Sequence, residues 1–327
     1  MRYVLGVESG QTSTTAVILD ETGILLGIGQ SGNAFPAGAV GDQGSERLRR
    51  SVLEAIQTAV VMADLQNARI AAAFLSLTTD TDTARNSLAA AVPAEQLFFG
   101  DAARSAFYAV TFGRPGAVVI AGTRAAAYGV SRDGKQARSG GWGMPTGDAG
   151  SSQWIALHGV AACCRSADGI EAPTQMLPLL LKHFAAADLR RVRDRLTLPE
   201  IYSDLPALAE IVHLAAAQGD AAARRILREA GKELAFSLLA VLKSLGLQNE
   251  SVTVGAVGEV FLAGRAVLRS FREQVCKSAP DAVIAARHLP YAVGAGLIGL
   301  EEIGVELDDP LCRNVGLGLT RLTAARA

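Results

Sequence analysis

Residues 3–28 read YVLGVESGQTSTTAVILDETGILLGI and contain three short apolar runs, Tyr3 to Glu8, Thr15 to Leu19 and Ile24 to Ile28. A turn rich in glycine, serine and threonine separates the first two runs, and a tight turn separates the last two. Short apolar runs bounded by such turn residues are typical of β-strands. The stretch therefore predicts three consecutive strands that pair as a meander.

The same order of features returns at residues 116–138, which read GAVVIAGTRAAAYGVSRDGKQAR. Two apolar runs, Ala117 to Ala121 and Ala125 to Val130, flank a turn at Gly122 and Thr123, and a second tight turn precedes a third run. Such a repeat is weak as sequence identity but specific as architecture. It predicts two similar α/β domains; the alternative is that any α/β enzyme contains such hairpins.

The length of the chain, 327 residues, also favours two domains. We place the first at residues 1–113 and the second at residues 114–327. The second contains a mostly helical insertion at about 160–220, because that region shows helical periodicity and few strand signals.

Charge and hydropathy exclude several classes of protein. Lys and Arg together number 31 against 32 Asp and Glu, and this balance argues against a nucleic-acid partner. No apolar run reaches the roughly 18 residues that a membrane span needs. The N-terminus shows no signal peptide, and the four cysteines have no C-x-x-C spacing and are interpreted as reduced thiols. We therefore expect a cytoplasmic protein with no membrane partner.

The turn from Gly10 to Thr14 has the composition of a phosphate site. It offers backbone N–H groups and hydroxyls with little side-chain obstruction, and Glu8 beside it can hold Mg²⁺ directly or through water. Taken alone, a plain hairpin explains it equally well. The matching turn at Gly122 and Thr123 strengthens the phosphate interpretation, since two facing turns can bind one nucleotide.

Three further segments carry candidate groups. Asp101 follows a predicted strand and begins a helix, where position alone favours a helix cap over a general base. The glycine-rich stretch from Gly140 to Ser151 contains Trp142 and Asp148, and we interpret it as a ligand-binding loop rather than a structural connection around a buried tryptophan. Gly258 lies between a strand and a helix, which suits either close approach to adenine or an ordinary turn.

Taken together in this order, the segments resemble the N-acetylglucosamine kinase and BadF/BadG-type ATPase family of the actin-like sugar kinase superfamily. The similarity runs from Tyr3 to about Ile303. The matching segments are the first phosphate motif (Val4 to Ala16), the substrate loop (Ser31 to Asn33), the base segment (Phe99 to Ala102), the second phosphate motif (Val119 to Thr123), the glycine-rich motif (Gly140 to Ser151), the adenosine motif (Gly255 to Phe261) and the closing motif (Pro290 to Ala295).

The resemblance implies an α/β fold of two actin-like, ribonuclease H-like domains with ATP and Mg²⁺ in the cleft between them. It implies ATP-dependent phosphorylation of an amino sugar, N-acetylglucosamine to its 6-phosphate, by a homodimer. The implied roles are Asp101 as catalytic base and Glu8 as metal ligand. The implied sugar contacts are Asn33, Gly141, Trp142 and Asp148. The implied ATP contacts are Gly10, Gln11, Thr12, Ser13, Thr14, Gly122, Thr123 and Gly258.

The chain departs from the usual motifs of this family at several positions. Glu8 replaces Asp, Ser13 replaces Lys and Gly100 replaces Asn. Glycines of the family motifs are replaced by Ser9, Gln11, Arg124 and Glu259. These departures keep open a second hypothesis, a non-catalytic member that binds a sugar or a nucleotide.

A third hypothesis is an ATPase that activates a redox partner. That branch of the family shares a metal cluster through paired cysteines near its dimer axis. Here Cys163 and Cys164 are adjacent and no suitable second cysteine lies nearby, so we rank this hypothesis last.

Overall fold

The computed structural model describes residues 1–10, 13–34, 42–77, 80–197, 200–286 and 288–324. The chain forms two compact units. The first combines Met1–Arg114 with Ala286–Ala327, and the second is Pro115–Ala285. Among the helices in the described ranges, none has both the length and the apolar character that crossing a membrane requires. All four cysteines are free.

The described residues form both strands and helices. The strands are β1 (Tyr3–Ser9), β2 (Thr14–Asp20), β3 (Leu25–Ser31), β4 (Ile70–Ser76), β5 (Ala94–Gly100), β6 (Gly116–Ala121), β7 (Ala125–Val130), β8 (Gln136–Gly140), β9 (Thr253–Val257) and β10 (Val283–Ile284). The α-helices are α1 (Asp42–Met62), α2 (Thr81–Ala91), α3 (Ala102–Thr111), α4 (Ser152–Ala167), α5 (Met176–His183), α6 (Leu205–Ala217), α7 (Ala221–Ser244), α8 (Glu259–Ala263), α9 (Arg265–Ser278), α10 (Tyr291–Glu302) and α11 (Asp309–Ala324).

A five-stranded mixed sheet forms the centre of the first unit, with the strand order β3-β2-β1-β4-β5. β2 pairs antiparallel with both β1 and β3, as the meander at residues 3–28 predicts. β1 and β5 each pair parallel with β4. The carboxyl ends of β1, β4 and β5 therefore lie at the same edge of the sheet.

The second unit repeats this topology. Its sheet has the order β10-β9-β6-β7-β8, with β6, β7 and β8 antiparallel and with β9 parallel to both β6 and β10. Each sheet thus consists of an antiparallel meander whose first strand also pairs with a parallel strand. The repeated architecture predicted from residues 116–138 is therefore present in the structure.

Alternate residues of β1 face opposite sides of the first sheet. Leu5 and Val7 are fully buried in a hydrophobic cluster with Leu48 and Val52 of α1. Gly6 faces the other side, where α10 approaches so closely that a Cβ at this position would lie 2.2 Å from the carbonyl oxygen of Ala292. A β-strand alternates its side chains in this way, so β1 is covered by a helix on each face.

The last two helices belong to the first unit, although the sequence analysis placed all of residues 114–327 in the second domain. α10 packs on β1, β4 and α3, and α11 contacts β3. The second unit ends at Ala285. The apolar pattern of α10 identifies a buried helix but not the sheet that buries it, so the return of the chain could not be predicted.

The region after β8 is largely helical, as expected for the insertion. It contains α4, α5, two 3₁₀ segments (Leu189–Leu196 and Glu200–Ser203) and α6. Its apolar residues join one large core with α7 and with strands β6 and β7 of the second sheet. The tail after Asp309, which the sequence analysis left unassigned, forms α11.

The contact between β1 and α10 allows a test of stability. In Gly6→Ala the new Cβ would lie 2.2 Å from the Ala292 oxygen and 2.3 Å from the Gly296 nitrogen, and backbone atoms cannot rotate away. We expect the free energy of unfolding, measured by urea denaturation, to fall by about 2–3 kcal/mol. The control is Gly32→Ala, because no atom of the described residues lies within 4 Å of a Cβ at that position. Equal unfolding midpoints for the two variants would contradict the packing described here.

Candidate functional site

The two carboxylates singled out in the first unit lie at the same edge of its sheet. Glu8 of β1 pairs in register with Ser76 of β4, and Ser76 pairs with Gly100 of β5. Asp101 follows Gly100 directly. Neighbouring strands are about 4.8 Å apart, so the backbones at positions 8 and 100 are separated by about 10 Å. Ligands of open α/β sheets bind outside such carboxyl ends.

The turn after β1 is closed by hydrogen bonds at its base. The hydroxyls of Ser9 and Thr14 lie 3.1 Å apart and share a hydrogen bond, and the Gly10 amide donates to the Ser13 carbonyl at 3.0 Å. Ser9 and Thr14 are buried. The hydroxyls of these two residues therefore fix the turn.

The predicted substrate loop lies beside this turn. The Ala34 amide donates to the Gly10 carbonyl at 3.3 Å, and the Ser51 hydroxyl of α1 donates to the Asn33 carbonyl, also at 3.3 Å. These contacts bring Asn33 close to the turn. Gln11 and Thr12, two of the predicted phosphate contacts, lie outside the described residues.

Glu8 is a partly buried carboxylate beside the turn. A Cβ at Gly10 would lie 3.0 Å from its Oε1 atom. Burial raises the pKa of Glu8 from 4.5 to about 7. Within the described ranges, no group of three or more His, Cys, Asp or Glu side chains could hold a metal. One carboxylate fits Mg²⁺, which binds through one or two carboxylates and completes its shell with water and substrate phosphates.

Asp101 is the N-cap of α3, as its position predicts. Its backbone is extended, and its Oδ1 atom accepts a hydrogen bond from the Arg104 amide at 3.0 Å. A cap role does not exclude a base role, because the two oxygens of a carboxylate together offer about four acceptor sites. Its role as catalytic base stays a prediction.

Packing explains the glycine that precedes Asp101. A Cβ at position 100 would lie 2.5 Å from the ring atom Cζ of Phe74, so an asparagine cannot fit here without a shift of that ring. The departure from the family motif at Gly100 therefore follows from the phenylalanine in β4.

Two serines near this edge were missed by the sequence analysis. The hydroxyls of Ser76 and Ser105 are buried and share a hydrogen bond between β4 and α3. This bond connects the carboxyl end of β4 to the helix that Asp101 caps. The sequence offered one signal for this bond, because Ser76 ends a buried apolar strand. Its partner Ser105 lies 29 residues away and could not be identified from the sequence.

The second unit places its predicted phosphate turn at the corresponding edge. The Gly122 amide donates to the Arg124 carbonyl at 2.9 Å, and the amide and hydroxyl of Ser152 donate to the Gly122 carbonyl at 2.9 and 3.1 Å. The turn is therefore fixed to the start of α4. Thr123 lies at its tip and is partly buried.

Gly258 allows the turn after β9 to approach the end of β6. Its φ is +106°, and a Cβ here would lie 2.4 Å from the Ala121 carbonyl oxygen. The next residue, Glu259, is exposed and begins α8. Its Oε1 atom would lie 3.5 Å from a Cβ at Gly122, so a carboxylate lies directly beside the predicted phosphate turn.

The glycine-rich loop requires left-handed backbone at several positions. The positive φ angles belong to Gly140 (79°), Gly141 (76°), Gly143 (84°), Asp148 (59°) and Gly150 (85°). Trp142 is 83% exposed, so it is not the buried tryptophan of a purely structural connection. Glycine adopts these angles without strain, whereas Asp148 does so at a cost.

Asp148 is buried and paired with Arg124. The exposed fraction of its side chain is 0%, and its Oδ2 atom lies 3.2 Å from Nε of Arg124. Its Oδ1 atom has no hydrogen-bond partner in the described part of the chain. Arg124 also donates from Nη2 to the Gly141 carbonyl at 3.0 Å. The sequence analysis noted Arg124 as a departure but could not identify these partners.

Glu8 makes a testable contribution to the pH dependence of stability. Its folded pKa of about 7 exceeds the reference value of 4.5, so its contribution is complete below pH 4.5 and is lost as the pH rises through 7. Glu8→Gln retains a neutral side chain. Wild type should therefore lose up to about 3 kcal/mol relative to this variant over that range, measured by urea unfolding in metal-free buffer.

The control for this prediction has the opposite sign. A hydrogen bond from Arg49 lowers the pKa of the exposed Glu46, so the contribution of Glu46 is present above pH 4.5 and is lost as the pH falls. The difference between wild type and Glu46→Gln should change with pH in the reverse direction. A difference between wild type and Glu8→Gln that does not vary with pH would show that Glu8 is not desolvated.

Comparisons with known proteins identify relatives of this chain. The N-acetylmuramic acid/N-acetylglucosamine kinase of Clostridium acetobutylicum is 33% identical over 194 residues, which cover 58% of this chain and 62% of that protein. The chain thus spans about three fifths of the length of this curated relative.

Two solved structures share the fold. A candidate N-acetylglucosamine kinase from Chromobacterium violaceum has a TM-score of 0.68 at 23% identity and covers 92% of this chain and 99% of its own. A candidate N-acetylglucosamine kinase from Porphyromonas gingivalis has a TM-score of 0.62 at 18% identity. This match covers 93% of the present chain and 99% of the Porphyromonas gingivalis chain. With the repeated strand order, these matches confirm the predicted fold class of two actin-like α/β domains. The cleft between the domains stays a prediction.

The family itself is shown by a match along most of the chain. The model of the BadF/BadG/BcrA/BcrD ATPase family aligns with residues 5–299, which include both predicted phosphate turns, Asp101, the glycine-rich loop and Gly258. The chain therefore belongs to the BadF/BadG/BcrA/BcrD ATPase family.

Proposed function

We propose that this protein is an ATP-dependent kinase of an amino sugar and that it converts N-acetylglucosamine to its 6-phosphate. The observation that carries the proposal is the shared sheet edge of the first unit, where Glu8 and Asp101 lie at the ends of strands in register. Membership of an ATPase family and similarity to a kinase named for N-acetylmuramic acid and N-acetylglucosamine support it.

Asp101 is the proposed catalytic base. It would accept the proton from the sugar hydroxyl as that oxygen attacks the γ-phosphorus of ATP, while the bond from that phosphorus to the β,γ-bridging oxygen breaks and ADP leaves. Phosphoryl transfer requires little covalent chemistry from the protein, so most of the rate enhancement would come from positioning and from stabilisation of charge. Because capping fixes Asp101 at the start of α3, its carboxylate has a defined position at the sheet edge.

The phosphate contacts are assigned to the two turns. Gly10, Gln11, Thr12 and Ser13 would supply amides and hydroxyls from the first unit, and Gly122 and Thr123 from the second. Thr14, the remaining residue of the predicted set, has a buried side chain bonded to Ser9 and would fix the turn instead of touching phosphate through its hydroxyl. Gly258 would allow adenine to approach the backbone. Glu8 is the proposed Mg²⁺ ligand, and the bound ion would neutralise phosphate charge.

The sugar contacts are assigned to Asn33, Gly141 and Trp142. Asn33 lies beside the first turn, and the exposed Trp142 can stack on a sugar ring. We assign no direct sugar contact to Asp148, because its side chain has no exposed surface. The homodimer and the cytoplasmic location expected from the sequence stay predictions.

A second candidate function is a non-catalytic member that binds a sugar or a nucleotide. The observation that favours it is Glu259, whose carboxylate lies beside the Gly122 turn and would repel a phosphate there. The two candidates differ in turnover, so one assay separates them.

The test is a coupled assay of ADP release from Mg-ATP with a panel of sugars. The panel contains N-acetylglucosamine, glucosamine, N-acetylmannosamine, glucose and N-acetylmuramic acid. We expect release that depends on an amino sugar and a kcat that falls at least about 100-fold in Asp101→Asn, because asparagine caps a helix as well as aspartate but cannot accept the proton. Binding of ATP should be retained.

The matched control is Asp188→Asn, another aspartate whose side chain caps a helical segment. It should leave turnover unchanged. A near-normal rate in Asp101→Asn would exclude Asp101 as the base. If folded wild-type protein releases no ADP with any sugar but binds a sugar in calorimetry, the second candidate is correct.

Glu259 provides a separate prediction about nucleotide affinity. Glu259→Gln removes a carboxylate beside the phosphate turn, so the KM for ATP should fall about three- to tenfold through loss of repulsion. The control is Glu273→Gln, an exposed glutamate of α9. A higher KM for ATP in Glu259→Gln would mean that Glu259 contributes to binding instead of opposing it.

A further inference from the structure

Arg124 connects three parts of the second unit through one guanidinium group. It belongs to the turn after β6, and its Nε atom lies 3.2 Å from Oδ2 of Asp148. Its Nη2 atom donates to the Gly141 carbonyl at 3.0 Å. The side chain is thereby held at two points, both on the segment between β8 and α4.

The two partners of this ion pair differ sharply in exposure. The side chain of Asp148 is 0% exposed, whereas that of Arg124 is 59% exposed. A ligand can therefore reach the guanidinium but not the carboxylate. A buried carboxylate that orients an exposed cation is an anchor for that cation rather than a contact for a ligand.

The contacts to Asp148 and Gly141 leave further N–H donors of Arg124 available for a ligand. A guanidinium has more N–H donors than the two contacts to Asp148 and Gly141 use, and these donors lie in a rigid plane that suits phosphate. Because its rotamer is already fixed, Arg124 loses little conformational freedom when it binds an anion. Gly143 leaves room beside it, since a Cβ there would lie 3.4 Å from Nη2.

We propose that Arg124 is a phosphate-binding residue for the nucleotide and that buried Asp148 is the positioning residue that orients it. The inference rests on the proposed function, which places the phosphates of ATP at the Gly122–Thr123 turn. It gives Arg124 a favourable role where the family motif usually has glycine. It also gives Asp148 a role consistent with its lack of exposed surface.

Calorimetry with nucleotides of different phosphate content tests this proposal without any sugar. In Arg124→Gln, the Kd for ATP and for ADP should rise roughly 10- to 100-fold, the loss expected for a hydrogen bond to a charged group. The Kd for adenosine should not change. A disturbed structure would weaken all three ligands equally, so the comparison separates a phosphate contact from a general structural effect.

Asp148→Asn tests the anchor. It leaves the charge of Arg124 in place but weakens its orientation, so the loss of ATP affinity should be smaller than in Arg124→Gln. The double variant should bind ATP no more weakly than Arg124→Gln alone, because Asp148 acts through Arg124. Arg124→Lys should restore part of the affinity, since lysine keeps the charge but lacks the planar fork.

The control is Arg132→Gln, an exposed arginine of the same unit that pairs with Glu250 at 2.9 Å, and it should bind all three ligands like wild type. Unchanged ATP and ADP affinity in Arg124→Gln, or wild-type protein that binds neither nucleotide, overturns the proposal. Failure of the proposed kinase activity is distinguishable, because it shows as absent ADP release from protein that still binds ATP through Arg124.

Discussion

Parallel pairing of the central strands is the constraint on which both units depend. Parallel strands run in one direction and therefore end at the same edge of their sheet. In the first unit these strands are β1, β4 and β5, and in the second unit they are β6 and β9. The two candidate carboxylates of the first sheet follow from that register: Glu8 is the last residue but one of β1, and Asp101 directly follows β5. A slip of one residue would move Glu8 to the opposite face of the sheet, because side chains alternate along a strand. The register is maintained by buried residues on both faces of β1, with α1 on one side and α10 on the other.

Small residues determine how closely the elements of each unit approach. Gly6 allows α10 to lie on β1, and Gly258 allows the turn after β9 to contact the end of β6. The same reasoning explains Gly100, where the ring of Phe74 fills the space of a side chain. A departure from a family motif is therefore not in itself a sign of lost activity. At position 100, glycine makes room for the ring of Phe74, and Asp101 still caps α3.

The charged groups of the two sheet edges are arranged differently. In the first unit Glu8 is desolvated, so a cation would relieve the cost of ionising it. In the second unit the charge of Arg124 is exposed and oriented by a buried carboxylate, and Glu259, at the start of α8, lies beside the turn that carries Arg124. Nucleotide affinity would then reflect a balance between attraction by Arg124 and repulsion by Glu259. Changes at these two positions should therefore act in opposite directions.

Local sequence was enough to predict the two meanders, the turns between their strands, the cap at Asp101 and the repeat. Apolar periodicity and turn residues determine such features within a few neighbouring positions of the chain. Composition also singled out the glycine-rich loop and the two turns predicted to bind phosphate. Local sequence did not predict the packing of α10 and α11 on the first sheet, the bond between Ser76 and Ser105, or the pairing of Arg124 with Asp148. These contacts join residues that are distant in sequence, and whether each forms depends on which surfaces the packed elements bring together. The burial of Asp148 is the clearest case. On an open loop this aspartate could contact a ligand, whereas in the packed loop its side chain has no exposed surface and pairs with Arg124.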